Sequence, residues 1–122
     1  MKIMLVDDST TMRNIQKKIL SGMGHTEIAE AADGLQALAA FGAERPDLML
    51  VDWNMPNMDG ITLVRKIREM DKNVLLVMVT TEAEKTRVIE AIKAGVNNYI
   101  VKPFTPAVLT EKIEQTLAKK AG

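Results

Sequence analysis

The sequence predicts an α/β domain with five parallel strands in one sheet and helices covering both faces. Short apolar runs recur at residues 3–6, 48–51 and 74–79, each too short for a stable helix. Stretches with apolar residues three and four positions apart separate them. The runs are also apolar at consecutive positions, as strands buried between two helical layers must be. Alternation of this kind builds a parallel sheet with right-handed crossovers.

Each element has its own justification. Residues 3–6 form the first strand, followed by Asp7 and Asp8. Ser9 and Thr10 are candidate caps for a helix whose apolar side is Met12, Ile15, Ile19 and Met23. Residues 27–31 read as a weaker strand with edge character. Leu35, Leu38, Ala39 and Gly42 mark a second helix that must stop before Pro46. After the strand at 48–51, Asp59 is positioned to cap a third helix with Leu63, Val64, Ile67 and Met70 inward. Residues 74–79 are the clearest buried strand. Val88, Ala91 and Ile92 mark a fourth helix, with Gly95 just past its end. Residues 99–101 are the fifth strand. Thr105 as cap and Pro106 in the first turn open a last helix on Leu109, Ile113 and Leu117.

Composition narrows the function classes. The 122 residues fit one domain, spanning 1–122, with no output domain expected. Apolar residues at 47% suffice for a continuous core, and 26% charged residues is an ordinary globular share. Lysine plus arginine and aspartate plus glutamate balance at 16 each, so nothing draws the chain to nucleic acid or to an anionic membrane. Cysteine is absent, which excludes disulfides, thiolate zinc sites and cysteine nucleophiles. The longest apolar run is far short of a membrane span, and the first residues lack the pattern of a secretory signal. A cytoplasmic monomer is the expectation.

Open parallel sheets bind ligands beyond the carboxyl ends of their strands. The first strand runs into Asp7 and Asp8, the third into Asp52, the fourth into Thr80 and Thr81, the fifth into Lys102. Three carboxylates on one rim repel strongly. At an effective dielectric of about 20, two unit charges roughly 4 Å apart repel by about 4 kcal/mol. Hard oxygen ligands without a nearby histidine point to Mg²⁺. One lysine cannot balance three acids, but it can balance the charge of an incoming phosphoryl group. A carboxylate can attack phosphorus without a general base and form an acyl phosphate. Thr80 would donate to one phosphoryl oxygen and Lys102 would contact another, which is the positioning and neutralisation that phosphoryl transfer needs.

Four segments carry a resemblance: Leu5-Val6-Asp7-Asp8-Ser9, the run from Val51-Asp52-Trp53-Asn54 through Met55-Pro56-Asn57-Met58-Asp59-Gly60, Val79-Thr80, and Tyr99-Ile100-Val101-Lys102-Pro103-Phe104. In order and spacing the chain resembles the response-regulator receiver family, its chemotaxis members above all. The resemblance implies a flavodoxin-like (βα)5 sheet in strand order 2-1-3-4-5, with a cis peptide before Pro103. It makes Asp52 the phosphoacceptor. It makes Asp7, Asp8, Asp52 and the Asn54 backbone carbonyl the Mg²⁺ ligands. Thr80 becomes the switch hydroxyl, Tyr99 the switch aromatic and Lys102 the conformational lysine. It further implies a histidine kinase as phosphodonor and a flagellar motor switch protein, or another output protein, docking on the fourth helix, fifth strand and fifth helix. A phosphatase is a further possible partner. Such a protein is a switch rather than an enzyme, catalysing only its own phosphorylation and slow autodephosphorylation. A receiver in a non-chemotaxis pathway or phosphorelay is the alternative.

Two other readings are weaker. A phosphohydrolase of the haloacid dehalogenase type would carry a second aspartate two positions after Asp52, where Asn54 stands. An EF-hand loop starting at Asp52 would need glycine at Asn57 and glutamate at Leu63. Taken singly, Asp52, Asp8, Thr80 and Lys102 are ordinary turn, cap or surface residues; their joint placement at strand ends is what singles them out. Trp53 reads as packing beside the site, Met55, Met58 and Met78 as core or loop filling, and His25 as a loop residue.

Overall fold

The structure, a computed structural model, describes residues 1–121, with side chains up to residue 119. Strands and helices alternate without exception: β1 (Lys2–Val6), α1 (Thr10–Gly22), β2 (Glu27–Ala31), α2 (Gly34–Glu44), β3 (Leu48–Val51), α3 (Gly60–Met70), β4 (Leu75–Thr80), α4 (Lys85–Ala94), β5 (Asn98–Val101) and α5 (Pro106–Ala121). The sheet is parallel in order β2-β1-β3-β4-β5. That is the predicted doubly wound arrangement.

Successive side chains on a strand point to opposite faces, so each central strand feeds two cores. Met4, Val6, Met49, Val51, Leu76 and Met78 pack with residues of α2, α3 and α4. Ile3, Leu5, Leu48, Leu50, Val77 and Val79 pack with Leu20 of α1 and with Leu109 and Ile113 of α5. Strand β2 lies at the edge and is only partly buried, with Glu27 and Glu30 exposed and Ala31 alone buried. No helix of the described residues is long and apolar enough to cross a membrane.

Of the predicted caps, Ser9, Asp59 and Thr105 each accept the backbone N–H three residues on, at 3.1, 3.0 and 3.2 Å, and Asp33, which the sequence reading did not single out, does the same for α2 at 2.8 Å. Gly95 ends α4 with φ at 117°, a region that glycine enters freely.

The helices exist where the pattern places them, yet some are rotated about their axes. In α1 the buried residues are Gln16 and Leu20, while Ile15 is exposed. In α2 the sheet receives Ala37 and Phe41, and Leu35 faces solvent. Met70 of α3 and Ile92 of α4 also face solvent, at 57% and 58% exposure, while Ala91 is buried. Helices on a sheet bury a narrow stripe, and a small residue such as Ala37 or Ala91 lets the backbone approach. Apolar residues flanking the stripe stay half in water.

One glycine is forced by crowding. A Cβ at Gly60 would strike the Asp52 carbonyl oxygen and lie 2.9 Å from Trp53 Cα, both backbone groups that cannot rotate aside. Gly60→Ala is therefore expected to lose about 3 kcal/mol of stability by overpacking, read as a lower urea midpoint at unchanged slope. A midpoint equal to that of the parent would show that the loop after Asp52 yields freely.

Candidate functional site

Backbone pairing carries the sheet one residue past its strand ends, and that residue is a candidate singled out from the sequence in each case. The Asp7 N–H donates to the Ala31 carbonyl at 3.1 Å, the Asp52 N–H to Val6 at 2.9 Å and the Lys102 N–H to Thr80 at 2.8 Å. Val6 is in register with Val51, and Val51 with Met78, so the carboxyl ends form one level rim. The carboxylate oxygens of Asp7, Asp8 and Asp52 consequently lie within 4.8 Å of one another.

Lys102 reaches this group from β5. Its Nζ donates to Asp7 Oδ2 at 2.7 Å and stands 3.4 Å from Asp52 Oδ2. The peptide between Lys102 and Pro103 is cis, as the resemblance implied. Asp7 is buried and held twice, since its other oxygen accepts the Ser9 N–H at 2.8 Å. Asp8 is exposed and makes no hydrogen bond among the described residues. Partial burial, above all, pushes the Asp52 carboxyl above its ordinary range; the Lys102 ammonium opposes that shift and Asp7 adds to it.

That imbalance tests the fit of a cation. The donors are all carboxylate oxygens, one acid has no partner, one ammonium serves the other two, and burial makes Asp52 resist ionisation. A hard divalent ion such as Mg²⁺ suits such a set. Asp7, Asp8 and Asp52 are the residues present to hold it.

Thr80 and Tyr99 meet at a residue the sequence did not single out. The Glu82 N–H donates to Thr80 Oγ1 at 3.3 Å. The Tyr99 hydroxyl donates to the Glu82 carbonyl at 2.6 Å, and Asn54 Nδ2 donates to the Glu82 carboxylate at 3.2 Å. Glu82 thus joins the β4–α4 loop to the strand end, the aromatic and the loop after Asp52. Arg13 also went unremarked. From one turn inside α1 its guanidinium donates to the Asp7 carbonyl oxygen and, at 2.9 Å, to Glu30. In sequence it is only a polar helix residue, and no spacing rule ties it to the strand end.

Trp53 is buried in the core on the α2–α3–α4 side of the sheet, as expected, with the Arg87 guanidinium 5.1 Å above its ring. Met55 and Met58 are partly buried against the same core and Met78 is fully buried, so all three fill space. His25 lies in the turn before β2.

Tyr99 is the sole tyrosine, which makes its titration readable. Burial first, and the Glu82 carboxylate second, push its phenol up to about 12. Because the folded value is raised, Tyr99 favours the fold below the ordinary value of 10.0, and that contribution is lost as pH rises through about 12. Ultraviolet titration is expected to show no tyrosinate near pH 10 in the native protein and a normal midpoint in urea. A native midpoint near 10 would place the hydroxyl in water.

Comparison with known proteins agrees with this geometry. The model of the response regulator receiver domain matches residues 3–114. A chemotaxis protein CheY homolog of Campylobacter jejuni is 49% identical over 125 aligned residues, spanning 100% of this chain and 96% of its own. Chemotaxis protein CheY1 of Helicobacter pylori is 50% identical over 120 residues, spanning 96% of this chain and 97% of its own. The solved CheX–CheY–BeF3–Mg²⁺ complex from Borrelia burgdorferi is similar at a TM-score of 0.92 and 29% identity, covering 95% of this chain and 88% of that one. A match running from β1 into α5, with relatives at half identity along the whole length, means that the chain belongs to the response regulator receiver family.

Proposed function

We propose that this chain is a phosphoryl-accepting switch of a two-component pathway serving chemotaxis, with Asp52 as the phosphoacceptor. One observation carries the reading: Asp7, Asp8 and Asp52 converge within 4.8 Å while Lys102 bonds Asp7 and faces Asp52. Relatives named for chemotaxis at 49% and 50% identity support the pathway.

The residues divide the work. Asp52, faced by Lys102 at 3.4 Å, presents a carboxylate oxygen as nucleophile. Asp7, Asp8, Asp52 and the Asn54 backbone carbonyl would hold Mg²⁺, which would supply charge neutralisation for the phosphoryl oxygens. Lys102 follows the new negative charge. Thr80 turns its hydroxyl from the Glu82 N–H toward a phosphoryl oxygen. A carboxylate nucleophile needs no general base, since its ionised form attacks directly. The domain is a switch rather than a metabolic enzyme, catalysing only the gain and slow loss of its own phosphoryl group.

The signal leaves through Glu82. When Thr80 turns away, the Glu82 N–H loses its acceptor, and the Tyr99 hydroxyl bonded to the Glu82 carbonyl responds. Tyr99 lies on β5, between α4 and α5, so the α4–β5–α5 face changes. Ile89, Ile92, Val101 and Val108 are exposed on these elements. A partner that prefers the altered face shifts the population by its differential affinity. A histidine kinase supplies the phosphoryl group, and the partner is a flagellar motor switch protein. That the Borrelia burgdorferi neighbour was solved with BeF3, Mg²⁺ and CheX supports the metal, the acceptor role and a further partner. We place the domain in the cytoplasm as a monomer.

Two measurements test this. Asp52→Asn is expected to abolish Mg²⁺-dependent labelling by acetyl phosphate; persistent labelling would remove Asp52 from its role. Trp53 is the sole tryptophan and adjoins the acceptor, so its fluorescence should report Mg²⁺. Asp8→Ala is expected to weaken that titration at least tenfold, whereas an unchanged curve would argue against the acid trio as the metal site.

A further inference from the structure

Asp33 and Asn57 lie outside the acid trio but hold the loop that follows Asp52. That loop runs from Trp53 to Asp59, between β3 and α3. Its ends are tied because the Gly60 N–H donates to the Trp53 carbonyl at 2.8 Å. In the middle the Met58 N–H donates to the Pro56 carbonyl at 2.7 Å. On the side facing α2, Asn57 Nδ2 donates to Asp33 Oδ2 at 2.7 Å.

Three features make this last contact more than surface decoration. Asn57 has φ at 69°, a left-handed conformation that few residues besides glycine, asparagine and aspartate adopt readily. Asp33 is buried, and its other oxygen is committed to the Gln36 N–H at the start of α2. Gly34 beside it leaves room for the loop backbone, since a Cβ there would lie 2.7 Å from the Met58 oxygen. Helix α2 supplies no residue to the acid trio. Its grip on this loop is nevertheless a direct link, because the same loop carries Asn54, whose side chain bonds Glu82 across the rim.

We propose that Asp33 and Asn57 are positioning residues for the metal site: their hydrogen bond latches the loop after Asp52 in the conformation that binds a divalent cation most tightly. The proposal rests on the metal-binding reading of Asp7, Asp8 and Asp52. Neither residue of the latch touches the cation. Both act through the backbone between Trp53 and Asp59.

Two variants separate the latch from its neighbours' duties. Asn57→Gly keeps the left-handed conformation accessible and removes only the amide. Asp33→Ser keeps an oxygen for the α2 cap and removes the one that Asn57 uses. The probe is MgCl2 alone, followed by Trp53 fluorescence, with urea unfolding measured in parallel. Each variant is expected to raise the Mg²⁺ Kd about tenfold, the low end for residues that orient metal ligands. The double variant is expected to be no worse than either single one, because the two share one interaction. A Kd within about twofold of the parent in either single variant, whatever happens to stability, would reduce the pair to a structural tie and overturn the proposal. Additive losses in the double variant would overturn it as well. A parent protein without any Mg²⁺ response would instead sink the metal-binding reading beneath it. A response that Asp8→Ala abolishes while the latch variants keep it would sink the latch alone.

Discussion

The crowding of Asp7, Asp8 and Asp52 at the end of a parallel sheet is the constraint on which the rest of the molecule turns. Hydrophobic burial on both faces of β1 and β3 sets these strands side by side, and the register of Val6 with Val51 brings their terminal acids level. The fold therefore imposes a repulsion that it does not fully relieve. Lys102 bonds Asp7 and approaches Asp52, Asp8 is left to solvent, and the Asp52 carboxyl resists ionisation. A cluster of carboxylate oxygens this short of positive charge is the kind of donor set that a hard divalent cation fits.

The connections around the trio explain how a local change of charge would travel. Thr80, Tyr99 and Asn54 all converge on Glu82, each on a different group of that residue. A small rotation of Thr80 is thus felt at the β4–α4 loop and at β5 without any chain of side chains between them. On the opposite side, Arg13 fixes the Asp7 carbonyl and the Asp33–Asn57 pair fixes the loop after Asp52. Hydrogen bonds from α1 and from the start of α2 therefore restrain the rim on that side.

Much of this was legible in the sequence. Strand and helix order followed from the alternation of apolar runs with helical spacing, and the strand-end rule brought Asp7, Asp8, Asp52, Thr80 and Lys102 together before any coordinate did. Helix orientation was less legible. Ile15, Leu35, Met70 and Ile92 fit the helical period yet face solvent; the sheet took Leu20, Ala37 and Phe41, which the pattern did not mark, and Ala91, which it did. Periodicity locates a stripe to within a residue or so, and only packing against a particular sheet decides which side of it is buried. The tertiary contacts of Glu82 and Arg13 were not legible at all. Glu82 is tied through its own backbone N–H and carbonyl as well as its carboxylate, and Arg13 reaches the Asp7 carbonyl and the Glu30 carboxylate; bonds of this kind leave no pattern in composition or spacing.

The most direct test of the central claim is a crystal structure of the protein grown with Mg²⁺ and beryllofluoride. Density bonded to an Asp52 carboxylate oxygen is expected, with the cation ligated by Asp7 and Asp8 and Lys102 turned toward the fluorides. An Asp52 carboxylate free of beryllofluoride, or a cation seated away from the three acids, would contradict the account.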